Sequence, residues 1–526
     1  MASTTNGDPD EPSCTRRAFL TGALAGAAVL ASPIVRATPH KTRFTSYPFT
    51  LGVASGYPTE DGVVLWTRLA PDPLQGGGMG ALPIEVAWEV AHDECFRRIA
   101  RRGVTLARPE DAHSVHVELT GLAPGRWYWY RFKAGSELSP VGRTRTTPAR
   151  GAATAELRFA FASCQHYEHG YYTAYRHMAR DALDLVVHLG DYIYEGSWGE
   201  HPVRAHTGAE TVSLGDYRNR YALYRSDLDL QAAHAAFPWV VVWDDHEVDN
   251  DYANDRSQDL TPREQFLARR AAAYRAYYEH MPLPASARPR GPDMRLHARL
   301  GFGGLCAFHL LDGRQYRDYQ ACPKPGRGGS NTVEACAERS DPNRSVLGSE
   351  QERWLTEGLA RAKARWNIIA QQTLMARIDA TPGPGQSFWT DGWDGYPAAR
   401  SRLLRWLALR RVSNPIVLGG DVHAFYAADL KLEFDDPGSP VVATEFVTTS
   451  ISSDGRPPER IAADLPENLH IKLADGTRRG YTRVTLSRDR AVVEMQAVDT
   501  VKTPGAPIST LATFVVEDGK AGALRG

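Results

Sequence analysis

Four short apolar runs in this 526-residue chain each end in side chains that bind metals or transfer protons. Runs of this length, rich in β-branched residues and bounded by Gly or Pro, are typical of buried strands. The runs span residues 158–161, 183–189, 238–243 and 415–418, and the clusters that follow them span residues 163–165, 190–195, 244–247 and 419–423. Sites in open α/β sheets lie beyond the carboxyl ends of the strands, so the four clusters are expected to converge. The pattern predicts an α/β, metal-dependent hydrolase.

The length of the chain predicts two domains. Residues 45–148 carry short alternating strands, and a Leu-x-Pro turn at Leu122 leads into a strand that contains Tyr128 and Tyr130. This pattern is typical of a fibronectin-like β-sandwich with a tyrosine corner. Residues 146–151 are interpreted as a linker, and strands alternate with helices in the second domain, residues 155–517.

Residues 1–37 are interpreted as a twin-arginine signal peptide. Arg16 and Arg17 precede an apolar stretch that ends at Ala31, too short to span a bilayer, and small residues near Ala37 suit a cleavage site. A buried or amphipathic N-terminal helix is the alternative, although the stretch has no polar stripe. We therefore expect a secreted, periplasmic or cell-envelope protein that uses the twin-arginine export machinery and has no integral membrane segment.

The charge pattern argues against a nucleic-acid partner. The formal net charge is −1, and no long run of basic residues interrupts the chain. Proteins that bind nucleic acid through phosphate contacts need such a basic surface.

Cysteine usage follows from the expected compartment, in which disulfides persist. Removal of the leader leaves five cysteines, and an odd number means that at least one thiol stays unpaired. Cys322 and Cys336 flank a Gly/Ser-rich loop and are the expected disulfide. Cys164 lies in one of the clusters and is the expected functional thiol, whereas Cys95 and Cys306 are interpreted as small buried hydrophobic residues.

Asp191 and Tyr194 are the first pair of candidate metal ligands. A carboxylate directly after a strand can bridge two cations, because each of its oxygens can serve one of them. Phenolate is a hard anion that suits ferric iron. The alternative is an aspartate that caps a helix and a tyrosine that is merely packed. The presence of Cys164, Asp421 and His423 at neighbouring strand ends favours metal binding.

The Asp-Asp-His-Glu cluster at residues 244–247 is the second strong element. Two adjacent buried carboxylates repel each other unless a cation lies between them. His246 is placed to donate a hydrogen bond to a phosphoryl oxygen or to the leaving group. A helix N-cap is the alternative, and Asn250 and Asp251 are further oxygen ligands within reach.

In the Gly-Gly-Asp-Val-His cluster at residues 419–423, the spacing of two places Asp421 and His423 on the same side of an extended segment. A hydrogen-bonded core histidine is the alternative. A phosphate-binding arginine is also expected, but the sequence does not identify it. Asp312 and Arg314 end another strand and could support the ligands from behind. A Trp-rich loop at residues 388–396 is either a substrate wall or packing.

Together these motifs resemble the alkaline phosphatase D (PhoD) type of calcineurin-like metallophosphatases. The resemblance covers nearly the whole chain after the leader and is carried by residues 51–56, 65–68, 161–165, 189–195, 243–247, 393–397 and 419–423. It implies a four-layer α/β/β/α sandwich preceded by a small all-β fibronectin-like sandwich. Where these metallophosphatases ordinarily have Gly-Asn-His-Glu, this chain has Asp245 at the Asn position, and the added negative charge suits calcium.

The resemblance also implies an iron–calcium site rather than a zinc or manganese pair. The residues implied as metal ligands are Cys164, Asp191, Tyr194, Asp245, Asp421 and His423. Fe³⁺ would be held by the thiolate, the phenolate, the imidazole and Asp191, which would bridge to Ca²⁺ with help from Asp245 and Asp421. A metal-bound hydroxide or oxo group would attack phosphorus in line, and the catalytic His246 would stabilise the departing alkoxide.

The expected activity is that of an alkaline phosphatase acting on small phosphomonoesters. The alternative is a phosphodiesterase or phospholipase-D-like enzyme with the same site, since the family resembles such secreted enzymes too. The choice depends on how the segment after Val498 covers the metals. A third alternative, a catalytically inert extracellular binding module, predicts lost ligands, and none is lost here.

Overall fold

The computed structural model describes residues 43–199 and 201–526. The predicted leader, residues 1–37, lies outside the described residues. Within the described part of the chain, no helix is both long enough and apolar enough to cross a membrane.

Strands and helices are numbered here in chain order. The strands are β1 Val53–Gly56, β2 Val63–Arg68, β3 Ile84–Ala91, β4 Ile99–Ala107, β5 Ser114–Leu119, β6 Trp127–Ala134, β7 Glu137–Leu138, β8 Gly142–Arg145, β9 Glu156–Ala162, β10 Leu185–His188, β11 Pro238–Val241, β12 Ala298–Phe302, β13 Cys306–Leu310, β14 Thr332–Val333, β15 Trp366–Ala370, β16 Phe388–Trp389, β17 Pro415–Gly419, β18 Phe425–Lys431, β19 Val441–Val447, β20 Ile471–Asp475, β21 Arg479–Ser487, β22 Arg490–Val498, β23 Ile508–Glu517 and β24 Leu524–Arg525. The helices are α1 Thr173–Met178, α2 Leu214–Arg225, α3 Leu228–Ala236, α4 Arg263–His280, α5 Gly348–Arg361, α6 Pro397–Arg410 and α7 Pro458–Asp464. Short 3₁₀ turns occur at Pro109–Asp111, Ala285–Ala287, Glu338–Ser340, Trp393–Gly395 and Leu465–Glu467.

The N-terminal strands form the predicted β-sandwich around an apolar core. In β6, residues alternate between buried and half-buried, so that Tyr128, Tyr130 and Phe132 all point into this core. The hydroxyl of Tyr128 accepts a hydrogen bond from the N–H of Ala123 at 2.9 Å. This contact is the tyrosine corner that the Leu-x-Pro turn predicted, and it fixes the turn against the strand.

The sandwich does not stand apart from the rest of the molecule. One of its sheets contains β3, β4, β6, β7 and β8, but the strands opposite, β1, β2 and β5, extend the large sheet of the following region. The junction is parallel pairing between β1 and β11, with Ser55 opposite Pro238. Backbone hydrogen bonds therefore run without a break from the N-terminal sandwich to the strands that carry the candidate site.

Two mixed sheets face each other in the second region. The first has the order β24-β23-β22-β21-β9-β10-β11-β1-β2-β5, and the second has the order β12-β13-β15-β17-β19-β18-β20. Aromatic pairs join them, since the ring centroids of Phe159 and Phe308 are 5.2 Å apart and those of Phe446 and Phe514 are 6.0 Å apart. The inner faces thus form a dry core between the sheets.

Helices cover both outer faces of this pair of sheets. On the first sheet, Tyr175 of α1 and His234 of α3 pack on Trp239, with ring centroids 5.7 Å and 3.9 Å away. On the second sheet, Leu355 of α5 and Leu403 of α6 belong to one buried apolar cluster. The result is the predicted four-layer α/β/β/α sandwich.

The cysteines confirm one expectation and correct another. Cys322 and Cys336 form the predicted disulfide, with Cα atoms 6.2 Å apart. Cys164 and Cys306 are free and buried. Cys95 was expected to be a small buried hydrophobic residue, and this expectation is wrong, because Cys95 is only half-buried.

Candidate metal centre

The candidate site lies where strands of both facing sheets end. Strands β9, β10 and β11 run parallel, so their carboxyl ends meet at one edge. Strand β17 ends at the same place from the second sheet, where a bridge between Ser163 and Ser450 ties the two sheets together. The four clusters predicted from the sequence are therefore neighbours in space.

Four candidate ligands occupy left-handed backbone conformations. The φ angles are 59° at Cys164, 57° at Asp191, 64° at Asp421 and 52° at His423. Non-glycine residues rarely adopt these angles, and they persist at functional sites where the surrounding structure holds them. The chain turns sharply after each strand, and the turns bring the four side chains into one cluster.

Two glycines allow the turns to pack closely. A Cβ atom at Gly190 would lie 2.5 Å from Asp244 Cβ, and one at Gly420 would lie 2.4 Å from Ser163 Oγ. Both distances are far below van der Waals contact, so a side chain at either position would push the strand ends apart.

The first group of ligand atoms comes from Cys164, Asp191 and His423, which lie within 4.8 Å of one another. Tyr194 Oη lies 2.9 Å from Asp191 Oδ2 and 3.2 Å from His423 Nε2. His423 Nδ1 is 2.6 Å from the carbonyl oxygen of Asp454, so it is the nitrogen that carries the proton. The Nε2 lone pair is then left facing the cluster, the arrangement found in metal-binding histidines.

The cluster is acidic and buried. Burial raises the pKa of the Cys164 thiol and of the Tyr194 hydroxyl well above their ordinary values, and the neighbouring Asp191 carboxylate adds to both rises. Without a cation the two groups therefore keep their protons. A bound cation would favour the thiolate and the phenolate, so metal uptake would release protons.

The second group of ligand atoms comes from Asp191, Asp245 and His246, also within 4.8 Å of one another. Asp191 thus belongs to both groups, as a bridging carboxylate must. His246 Nδ1 lies 2.8 Å from Glu195 Oε2. Burial alone would lower the pKa of His246, but the carboxylates of Glu195 and Asp245 outweigh it and hold that pKa well above its ordinary value.

Glu247 and Ser453 hold the site together, and the sequence reasoning assigned a role to neither. The Glu247 carboxylate accepts N–H groups of Asp191, Tyr192 and Asp244, at 3.1, 2.6 and 2.8 Å. It therefore locks two strand ends to each other. Ser453 Oγ lies 2.8 Å from Tyr194 Oη. Glu247 was visible in the sequence as the last residue of its cluster, but nothing in the sequence distinguished Ser453.

The adjacent carboxylates of Asp244 and Asp245 do meet a cation, but it is an arginine. Arg314 Nε donates to Asp244 Oδ1, and Arg314 Nη2 lies 3.5 Å from Asp245 Oδ1. The carboxylate of Asp251, a possible oxygen ligand, accepts hydrogen bonds from Gln258 Nε2 at 3.0 Å and the N–H of Ser330 at 2.8 Å, and the backbone N–H of Asp251 donates to Asp245 Oδ2 at 2.7 Å. Asp391 of the Trp-rich loop lies 2.9 Å from Arg314 Nη1, so this loop contributes an anion as well as packing.

Unpartnered oxygen atoms show that the cluster fits metal ions. Asp191 Oδ1, Asp245 Oδ1 and Asp421 Oδ2 are buried and accept no hydrogen bond. Bare buried carboxylate oxygens are costly unless a cation neutralises them. A thiol, a phenol and an imidazole beside them form a donor set that suits iron, and oxygen atoms alone suit calcium.

A second cluster of His166, Glu168 and His206 lies beside the first, with ligand atoms again within 4.8 Å. Both ring nitrogens of His206 are engaged: Nδ1 lies 3.1 Å from Arg220 Nη1, and Nε2 lies 3.0 Å from Tyr224 Oη. Arg220 would also repel a cation. His166 Nε2 has no hydrogen-bond partner, but with both nitrogens of His206 engaged the cluster offers fewer free donor atoms than the first, and we interpret it as structural.

Two facing sheets flanked by helices, with an acidic cluster at the strand ends, define the metallophosphatase type of α/β fold. The model of PhoD-like phosphatases matches residues 159–495, and that of their N-terminal domain matches residues 35–148. Alkaline phosphatase D of Bacillus subtilis (strain 168) is 50% identical over 496 residues, which cover 93% of this chain and 83% of that relative. A solved structure entitled "Structure of PhoD" superimposes with a TM-score of 0.89 at 50% identity, over 92% of this chain and 93% of the other. The chain belongs to the PhoD-like phosphatase family.

Proposed function

We propose that this protein is an exported, metal-dependent alkaline phosphatase that hydrolyses phosphate esters at the cluster around Asp191. The observation that carries the proposal is the set of bare, buried carboxylate oxygens beside Cys164, Tyr194 and His423. The relative named alkaline phosphatase D supports it. An inert binding module would have no use for these costly groups, so we set that alternative aside.

We assign Fe³⁺ to Cys164, Asp191, Tyr194 and His423, and Ca²⁺ to the carboxylates that face it. The calcium ligands in this assignment are Asp191, Asp245 and Asp421. Bound cations would neutralise the phosphate and lower the pKa of water. The protein itself holds their ligands in place through strained turns and buried hydrogen bonds.

His246 is the proposed catalytic group for the leaving oxygen. Glu195 binds one ring nitrogen at 2.8 Å and keeps the ring charged, which leaves Nε2 to donate a proton to the departing alkoxide. Trp198 packs beside the same ring, with centroids 5.0 Å apart, and restricts its orientation.

Phosphodiesters are the second candidate substrates. A cleft of about 700 Å³ opens beside Glu195 and Trp198. The segment after Val498 does not line it in the described part of the chain, since Lys502 Nζ instead lies 2.8 Å from the carbonyl oxygen of His169. None of the proposed metal ligands lines this cleft, so its volume does not distinguish monoesters from diesters.

Export through the twin-arginine machinery is part of the proposal. The support is the Arg16-Arg17 pair and the short apolar stretch that follows it. That route carries folded proteins, so iron and calcium ligands could be assembled before or after export.

Metal analysis of the exported protein, with assays of nitrophenyl phosphate and bis-nitrophenyl phosphate side by side, tests the proposal. We expect iron and calcium in the protein and hydrolysis of the monoester above that of the diester. His246→Asn should lower the rate by about 100-fold or more while both metals stay bound. Zinc or manganese in place of iron and calcium would contradict the metal assignment, and absence of both activities would contradict the function.

A further inference from the structure

The buried guanidinium of Arg314 lies beside the candidate metal centre. Arg314 follows β13, is fully buried, and directs its guanidinium at three carboxylates. Besides the contacts to Asp244 and Asp245, its Nη1 lies 2.9 Å from Asp391 Oδ2. The planar guanidinium has fixed donor directions, so these contacts define its orientation. The guanidinium is buried and directed at these carboxylates, although its Nη2 makes no hydrogen bond.

Asp391 makes this arrangement rigid. Arg317 Nη1 lies 2.9 Å from Asp391 Oδ1, and Gln320 Nε2 donates to the same oxygen at 2.7 Å. Arg317 and Asp391 are themselves buried. Arg314 is thus anchored from behind, and its positive charge stays at one point beside the candidate metal centre.

We propose that Arg314 is a permanent internal cation of the metal centre, which takes Asp244 as its counter-ion and so removes that carboxylate from the set of metal ligands. This assignment rests on the metal centre proposed above. Four buried carboxylates converge there: Asp191, Asp244, Asp245 and Asp421. By neutralising one of them, Arg314 leaves three carboxylates to face the bound cations. Arg314 is a positioning residue in this account, since it acts only through the carboxylates.

A rival assignment makes Asp244 a metal ligand. Its second oxygen, Oδ2, has no hydrogen-bond partner and is free to bind a cation. The two assignments predict different effects when the charges of Asp244 and Arg314 are removed singly and together.

The test is the calcium affinity of protein from which calcium has been removed with EGTA, measured by calorimetric titration with CaCl₂. In Arg314→Gln the carboxylate of Asp244 loses its counter-ion, so we expect calcium to bind about tenfold more tightly or better, as removal of a nearby positive charge dictates. Asp244→Asn should weaken binding, because Arg314 is then unbalanced. The double variant removes a neutral pair and should return to within about threefold of the wild-type affinity.

The proposed role and a merely structural role of Arg314 predict opposite changes in the calcium affinity of Arg314→Gln, so the measurement distinguishes them. A merely structural role of Arg314 predicts weaker calcium binding in Arg314→Gln, and that result would overturn the assignment. If the double variant binds calcium as weakly as Asp244→Asn does, Asp244 is a calcium ligand. That result would also overturn the assignment of Arg314. Asp391→Asn is the matched control: it disturbs the same guanidinium but leaves the pair with Asp244, so calcium binding should not tighten.

Wild-type protein distinguishes failure of this assignment from failure of the proposed centre. If the EGTA-treated wild type takes up no calcium, the proposed calcium site is wrong and the assignment falls with it. If the wild type binds calcium and Arg314→Gln does not bind it more tightly, only the role of Arg314 is wrong.

Discussion

Two clusters of histidine and acidic side chains lie side by side in this protein, and similar geometry gives them different roles. In each, three ligand atoms lie within 4.8 Å of one another. Around Asp191 three carboxylate oxygens accept no hydrogen bond, whereas in the other cluster both ring nitrogens of His206 are taken by Arg220 and Tyr224 and His166 Nε2 is unpartnered. Residue type and spacing therefore do not define a metal site. The number of converging donor atoms without a hydrogen-bond partner distinguishes the two clusters.

The second cluster also supports the first. The ring of His166 packs against Tyr194 with centroids 4.4 Å apart, and it stacks on His169 at 3.8 Å. The backbone N–H of His166 donates to Ser453 Oγ, which lies against the same tyrosine hydroxyl. The structural cluster thus limits the positions that the Tyr194 phenol can adopt.

The largest effect is expected from Asp191→Asn. This carboxylate belongs to both ligand groups, so its loss should remove both metals and reduce phosphatase activity to background. Glu168→Gln is the matched change in the structural cluster and should leave metal content unaltered. Metal analysis and nitrophenyl phosphate assays check both variants. Full metal content in Asp191→Asn, or metal loss in Glu168→Gln, would reverse the roles of the two clusters.

Tyr194→Phe should have the next largest effect. The variant keeps the packing but loses the phenol oxygen, so the visible absorption band of an iron–phenolate contact should disappear and iron should bind roughly 100-fold more weakly. Tyr167→Phe, which alters a ring beside His206, should keep the band. An unchanged spectrum in Tyr194→Phe would exclude this tyrosine as a ligand.

Glu195→Gln tests the charge of His246. Because the Glu195 carboxylate raises the pKa of His246, its removal should lower that pKa. If the cationic ring donates the proton, the upper pH limit of kcat should fall by the same amount. Glu210→Gln is the control, since Glu210 lines the same cleft but pairs with Arg269. If the upper pH limit of kcat is unchanged in Glu195→Gln, His246 is not the proton donor.

The smallest effect is expected in the structural cluster. His206→Gln removes contacts to Arg220 and Tyr224 and should lower the free energy of unfolding by about 1–3 kcal/mol. Metal content should stay at the wild-type value, because no metal is expected there. Urea unfolding measures the free energy of unfolding, and metal analysis measures the metal content of the same variant.

Sequence patterns predicted which segments meet at the candidate site, because parallel strands place their carboxyl ends together. The runs before Asp191 and His423 were recognisable as buried strands, and the turns after them follow from that placement. The pattern could not show that Arg314 binds Asp244, since the two residues are 70 positions apart and belong to different sheets. Nor could it locate Ser453, whose loop has no periodicity.

In the N-terminal region, too, the sequence pattern predicted local structure but not contacts between distant segments. Alternating residues predicted its strands and its tyrosine corner, because burial of one face leaves a period of two. The parallel pairing of β1 with β11 depends on backbone contacts between distant segments, which side-chain patterns do not record. The sequence therefore predicted the sandwich but not that its sheet continues into the one that carries the site.

An anomalous difference map at the iron edge, from crystals of the exported protein, tests the central claim most directly. The account predicts a peak bounded by Cys164 Sγ, Tyr194 Oη, His423 Nε2 and Asp191. A peak between His166, Glu168 and His206 instead, or no iron beside Cys164, would contradict it.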